Sequence, residues 1–137
     1  MDIYFQLERD EGFRSLPYRD TARKLTVGIG WNLEGGMPIS EDAARFILRQ
    51  HVEVFVIDLQ NRLPWTRHLS QPRFGVLLNM AYNLGVHGLM TFKKMLYALQ
   101  MGDIKTVDKE MDDSRWARQV GDRAVRLRQQ MREDRWV

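Results

Sequence analysis

At 137 residues, 44% of them hydrophobic, the chain can form one compact domain with a real core and is too short for two independent ones. It has no cysteine, which excludes disulfides, thiol catalysis and zinc-thiolate sites, and its three histidines (His51, His68, His87) show no metal-ligand spacing. The net charge of +3 is uneven: from Ser114 to Val137 seven Arg stand against three acids, so this tail carries +4 and the rest −1. Such a tail suits nucleic acid, anionic lipid or an acidic polymer.

The first residues, Met1 to Asp10, have an acid at position 2 and no apolar run, so no signal peptide is expected. Nor does any stretch approach the roughly 20 apolar residues of a membrane span. Residues 2–11 instead place Ile3, Tyr4 and Leu7 at helical spacing, and Gly12 suits the stop. Pro17 breaks any continuation. Tyr18 to Ile29 reads as a hairpin-like sheet with its turn near Thr21-Ala22-Arg23, and Glu34-Gly35-Gly36-Met37-Pro38 as a loop.

Ser40 then reads as an N-cap, with Glu41 and Asp42 favourably placed in the first turn. The helix it opens is predicted to run to about Arg62, with a stripe of Ala44, Ile47, Leu48, His51, Val52, Phe55, Val56 and Leu59. Leu63-Pro64-Trp65 ends it, and Ser70-Gln71-Pro72 starts the next. That helix, Phe74 to Leu84, is apolar around most of its circumference and reads as the central core helix, capped by Gly85. Further helices are expected near Thr91 to Met101, after Asp103 (Ile104, Val107, Met111), and from Asp122 to about Glu133. The last should bury Val125, Leu127 and Met131, with Trp136 folding back onto it. The pattern is α+β, predominantly α.

Chemistry concentrates between Glu11 and Gly30. Cleaving a glycoside near neutral pH needs a protonated carboxyl at the leaving oxygen and a second group on the opposite side. Glu11 ends a helix, at the negative end of its dipole, which disfavours the ionised form. Each residue alone has a plain structural explanation. Glu11 alone is a surface acid, Asp20 a turn former that bonds its own backbone, and Thr26 a β-branched strand residue. Their combination, Glu-x8-Asp-x5-Thr inside Asp-Glu-Gly … Tyr-x-Asp-Thr … Thr-x-Gly-Ile-Gly, is not explained that way.

At these residues the chain resembles the T4-type phage lysozymes, glycoside hydrolase family 24, which hydrolyse bacterial peptidoglycan. Later matches keep the family's order: Asn79-Met80-Ala81-Tyr82-Asn83-Leu84-Gly85, Phe92, Ser114-Arg115-Trp116 and Asp122-Arg123-Ala124-Val125-Arg126. The chain is shorter than the best-known member between Asn32 and Ser40 and around the following helix.

The resemblance implies Glu11 as general acid, with Asp20 and Thr26 holding or activating the attacking water and Asp20 stabilising an oxocarbenium-like transition state. Arg123 would pair with Glu11, and Arg126 with Asp10. Substrate contacts fall on Asn32, Tyr82, Met95 and Glu110, of which Met95 and Glu110 differ in type from the family. Trp31 also departs from it, as core packing or a sugar platform.

The implied architecture is one lysozyme-like domain over 1–137. It has a β-lobe at about 12–38, a helical lobe of 1–11 and 63–137, and a connecting helix at 40–62, with a cleft between the lobes. The enzyme would be an N-acetylmuramidase working by inversion, with no cofactor and no metal. Peptidoglycan is its partner; nucleic acid and stable membrane insertion are not expected. It would act as a monomer, held in the host cytoplasm until a holin-type membrane pore releases it to the periplasmic wall. The rival readings are an inactive peptidoglycan binder on the same scaffold, a lytic transglycosylase using one Glu, and a nucleic-acid binder using the Arg-rich tail.

Overall fold

A computed structural model of the chain describes residues 2–137; Met1 lies outside the described residues. In chain order these form α1 (Ile3–Glu11), β1 (Arg14–Arg19), β2 (Leu25–Gly28), β3 (Trp31–Asn32), α2 (Glu41–Arg62), a 3-10 helix (Pro64–His68), α3 (Gln71–Met90), α4 (Lys93–Gln100), α5 (Ile104–Asp112), α6 (Arg115–Val120) and α7 (Asp122–Glu133). This is the α+β, predominantly helical class expected. The contacts gather into two compact units, Met1–Ala44 and Arg45–Val137, with the division falling inside α2.

The first unit is local in construction. Asp2 starts α1 by accepting the Phe5 N–H at 2.9 Å, and the Gly12 N–H closes it on the Glu8 carbonyl. The three strands form an antiparallel sheet in the order β1-β2-β3, with Tyr18 opposite Thr26 and Thr26 opposite Asn32. Pro17 lies in β1, an edge strand whose register slips between Arg14 and Tyr18. A residue without an N–H is tolerated at such a place. Glu34, just beyond β3, accepts the Leu25 N–H at 2.6 Å and pins the loop to the start of β2. Thr26, 3% exposed, is the one buried residue among the described residues of this unit. Ser40 caps α2 by accepting the Ala43 N–H at 3.1 Å.

The second unit carries the apolar core. As expected, the middle of α3 is central: Val76, Leu77, Met80 and Ala81 are fully buried, and Met111, Met131, Val107 and Leu59 join them from other helices. Gly85 (φ 76, ψ 159) breaks the helical path as the sequence predicts. A further helical turn nevertheless follows to Met90, so α3 is longer than Phe74–Leu84 and kinked. Helix α6 was not foreseen; Ser114 caps it by accepting the Ala117 N–H at 3.1 Å.

Three expectations about burial need correcting. Val125 is 59% exposed, because the buried stripe of α7 runs through Ala124, Leu127 and Met131 and leaves Val125 off that face. On α2 only Leu59 of the predicted stripe is fully buried, while Ala44, Leu48 and His51 are exposed. Trp136 folds back onto Gly75 of α3, with its indole edge where a Cβ there would stand, and remains 61% exposed.

Candidate active site

Asp20 and Thr26 are organised by one residue between them. The Asp20 Oδ1 accepts the Lys24 N–H at 2.8 Å, and the Asp20 N–H donates to the Lys24 carbonyl at 3.0 Å. The same carbonyl accepts the Thr26 hydroxyl at 2.9 Å. The Asp20 bonds close a turn tight enough to put Arg23 at φ 62, a left-handed conformation that costs a non-glycine residue about 1–2 kcal/mol. The β2 register then holds Thr26 centrally, between Tyr18 and Asn32.

This wiring decides what each group has left to offer. The Thr26 hydroxyl proton is committed to the Lys24 carbonyl, so the Oγ1 lone pairs remain as acceptors. Asp20 uses Oδ1 on the main chain, and its Oδ2 makes no protein hydrogen bond among the described residues.

Glu11 ends α1 with its side chain exposed, and its carboxyl lies against Gly30 in the turn between β2 and β3. Together with Tyr4, Leu7, Glu8 and Ile29 they line a hollow of about 330 Å³. Asp10, one residue earlier, is salt-bridged to Arg9 at 2.8 Å. Thus all three residues of the Glu-x8-Asp-x5-Thr pattern belong to the first unit.

Among the expected substrate contacts, Asn32 is half-buried on β3, where its Oδ1 accepts the Glu34 N–H at 2.9 Å. Trp31, also half-buried, pairs with Val27. In the second unit, Tyr82 is 47% exposed and its ring lies 5.9 Å from that of Phe55. Met95 is only 1% exposed, so it presents almost no surface; with Glu110, Lys93, Lys94 and Asp113 it lines a hollow of about 370 Å³. Arg123 is anchored by Asn79, donating Nε–H to its Oδ1 at 2.8 Å and Nη2–H to its carbonyl at 3.4 Å.

Two of these supporting groups escaped sequence reasoning. Asn79 stood inside a matched motif, but nothing local shows that its amide meets a residue 44 positions on. Lys24 acts through its main chain, which leaves no side-chain signal at all. Other matched residues prove structural: Trp116 is buried, donates its indole N–H to Asn83 at 3.1 Å and meets the Phe92 ring edge-on. Among the described residues no group of three His, Asp or Glu is placed to hold a metal, and no helix is long and apolar enough to cross a membrane.

A sheet-bearing unit with two acids and a hydroxyl, followed by a helical unit around one core, is the class that the Glu-x8-Asp-x5-Thr pattern anticipates. The family model described as phage lysozyme matches residues 8–133, and the chain belongs to that family. It is also similar to the pre-baseplate central spike protein Gp5 of Enterobacteria phage T4, at 27% identity over 154 aligned positions covering 93% of this chain. The chain spans only 27% of that relative's length.

Proposed function

We propose that this chain is a lysozyme that hydrolyses the β-1,4 bond between N-acetylmuramic acid and N-acetylglucosamine in peptidoglycan, with inversion. Glu11 protonates the leaving glycosidic oxygen, while Thr26 and Asp20 hold water on the opposite face. The common anchoring of Asp20 and Thr26 on the Lys24 main chain carries this reading, because it ties both residues to one point of the chain and leaves Asp20 Oδ2 uncommitted. In this reading Thr26 orients the water, and Asp20 takes its proton and faces the developing positive charge on the sugar. From the family resemblance we carry over the support of the catalytic Glu by Arg123, which is anchored on Asn79, and sugar contacts at Asn32, Tyr82 and Glu110; Met95, 1% exposed, is left to line the hollow beside Glu110.

The reaction needs only these side chains and water. We assign its setting to phage-induced lysis: a monomer released from the host cytoplasm through a holin-type pore to reach the wall. A second setting, the lytic segment of a larger virion protein, is favoured by the similarity to part of a spike protein. Immunoblotting purified virions separates the two.

The activity is tested on Gram-negative cells with permeabilised outer membranes. Clearing of turbidity between pH 5 and 8 is expected, and none at any pH in that range would exclude the enzyme. Mass spectrometry of the released muropeptides should show hydrated reducing ends. Anhydro ends would assign a lytic transglycosylase instead, and an inverted anomer seen by NMR in early product would establish the stereochemistry.

A further inference from the structure

We infer that Gly30 is a positioning residue for Glu11: its missing side chain is the slot that the Glu11 carboxyl occupies. The inference rests on the reading of Glu11 as the general acid. A Cβ built on Gly30 would stand 2.5 Å from Glu11 Oε2, 2.6 Å from Cδ and 2.8 Å from Cγ, well inside van der Waals contact. Several other glycines share its left-handed backbone, including Gly12 and Gly28 (both φ 70, against 63 for Gly30). At each of these others in the described residues, a Cβ would meet nothing within 4 Å. Backbone conformation therefore explains why glycine is favoured at all of them, and at Gly30 a second cause is added.

The atoms in the slot are the far end of a flexible side chain, not main chain. A methyl group at position 30 would therefore displace the carboxyl and leave the backbone where it is. The displaced group has somewhere to go, since Glu11 is exposed and borders the hollow it shares with Tyr4, Leu7 and Glu8. Gly30 also opens directly from β2, the strand that carries Thr26. Lodging the carboxyl against this turn ties the acid to the strand that holds the water, and a general acid loses rate steeply when misplaced by about 1 Å.

Gly28 supplies a control, with a similar positive φ but an open Cβ position. Gly30→Ala and Gly28→Ala are each expected to lose stability in urea unfolding, as both force an L side chain to a positive φ. Only Gly30→Ala should lower kcat, at least tenfold and with KM unchanged, and only it should shift the 13C carboxyl resonance of Glu11. Equal kcat in the two variants, or an unmoved Glu11 resonance in Gly30→Ala, would overturn the inference. If Gly30→Ala does not fold, Gly30→Asn takes its place, since asparagine accepts left-handed φ more readily while still carrying a Cβ. Wild-type protein with no lytic activity would defeat the general-acid reading itself. The carboxyl resonance separates that outcome from a failure of the slot, because it needs no turnover.

Discussion

Thr26 illustrates how local bonds restrict what a candidate catalytic group can offer. The hydroxyl of Thr26 has its proton spent on the Lys24 carbonyl, so its contribution is as an acceptor. Thr26→Val keeps the shape and removes the hydroxyl. It should lower turnover at least tenfold while costing only about 1 kcal/mol of stability, since the Lys24 carbonyl retains the Asp20 N–H. Thr26→Ser should keep most of the activity, and parallel turbidity and urea measurements check both. Glu11→Gln keeps the side chain's size but has no proton to give; lysis above a few per cent of wild type would count against Glu11 as the acid. The mutant should remain folded by circular dichroism, because Glu11 is exposed and contributes to no buried core.

Between elements, α5 and α7 of the second unit are tied together by charge. Arg128 on α7 bonds Asp108 on α5 through Nε at 2.7 Å and Nη2 at 3.1 Å; it also reaches Asp112, and Arg132 adds a bond to Asp108 at 2.9 Å. The Arg128 guanidinium holds the Asp108 carboxyl below its ordinary range; partial burial opposes this, and Arg132 reinforces it. A carboxylate lowered on folding stabilises the fold above its unfolded pKa, and that contribution disappears as pH falls through the lowered value. Asp108→Asn should therefore cost about 1–2 kcal/mol at pH 6, and the deficit should shrink steadily below about pH 4. Urea titrations of both proteins from pH 6 to 2.5 test the sign, and a deficit that grew on acidification would refute it. The polar ties between α3 and α7 are of another kind: Arg73 donates to the Met131 carbonyl at 3.0 Å and Gln130 to the Pro72 carbonyl at 2.7 Å.

At the scale of the whole molecule, the family resemblance implies support of Glu11 by Arg123, a prediction that joins residues more than a hundred positions apart. It is measurable without any substrate. A double-mutant cycle of Glu11→Ala and Arg123→Ala in urea unfolding should return a coupling of at least about 0.5 kcal/mol, and additive effects would remove Arg123 from that role. Asn79→Ala should weaken the same coupling, since it removes the Oδ1 that accepts the Arg123 Nε–H and leaves only the main-chain carbonyl, at 3.4 Å, to hold the guanidinium.

Much of this protein was legible from local signals. The ends of α1, α2 and α7, the start of α5, the Gly85 break and the turn at Asp20 depend on residues within a few positions of one another, so caps and periodicity report them. The Glu-x8-Asp-x5-Thr spacing belongs with these, because its three members fall on one short helix–turn–strand path. Folding alone decided which side of α7 faces the core and left Val125 outside it. It also made the Lys24 main chain the common anchor of Asp20 and Thr26, set Asn79 against Arg123, and put the Glu11 carboxyl where a Gly30 side chain would stand. These outcomes depend on strand register and helix packing, which bring together atoms whose sequence neighbours carry no trace of the meeting.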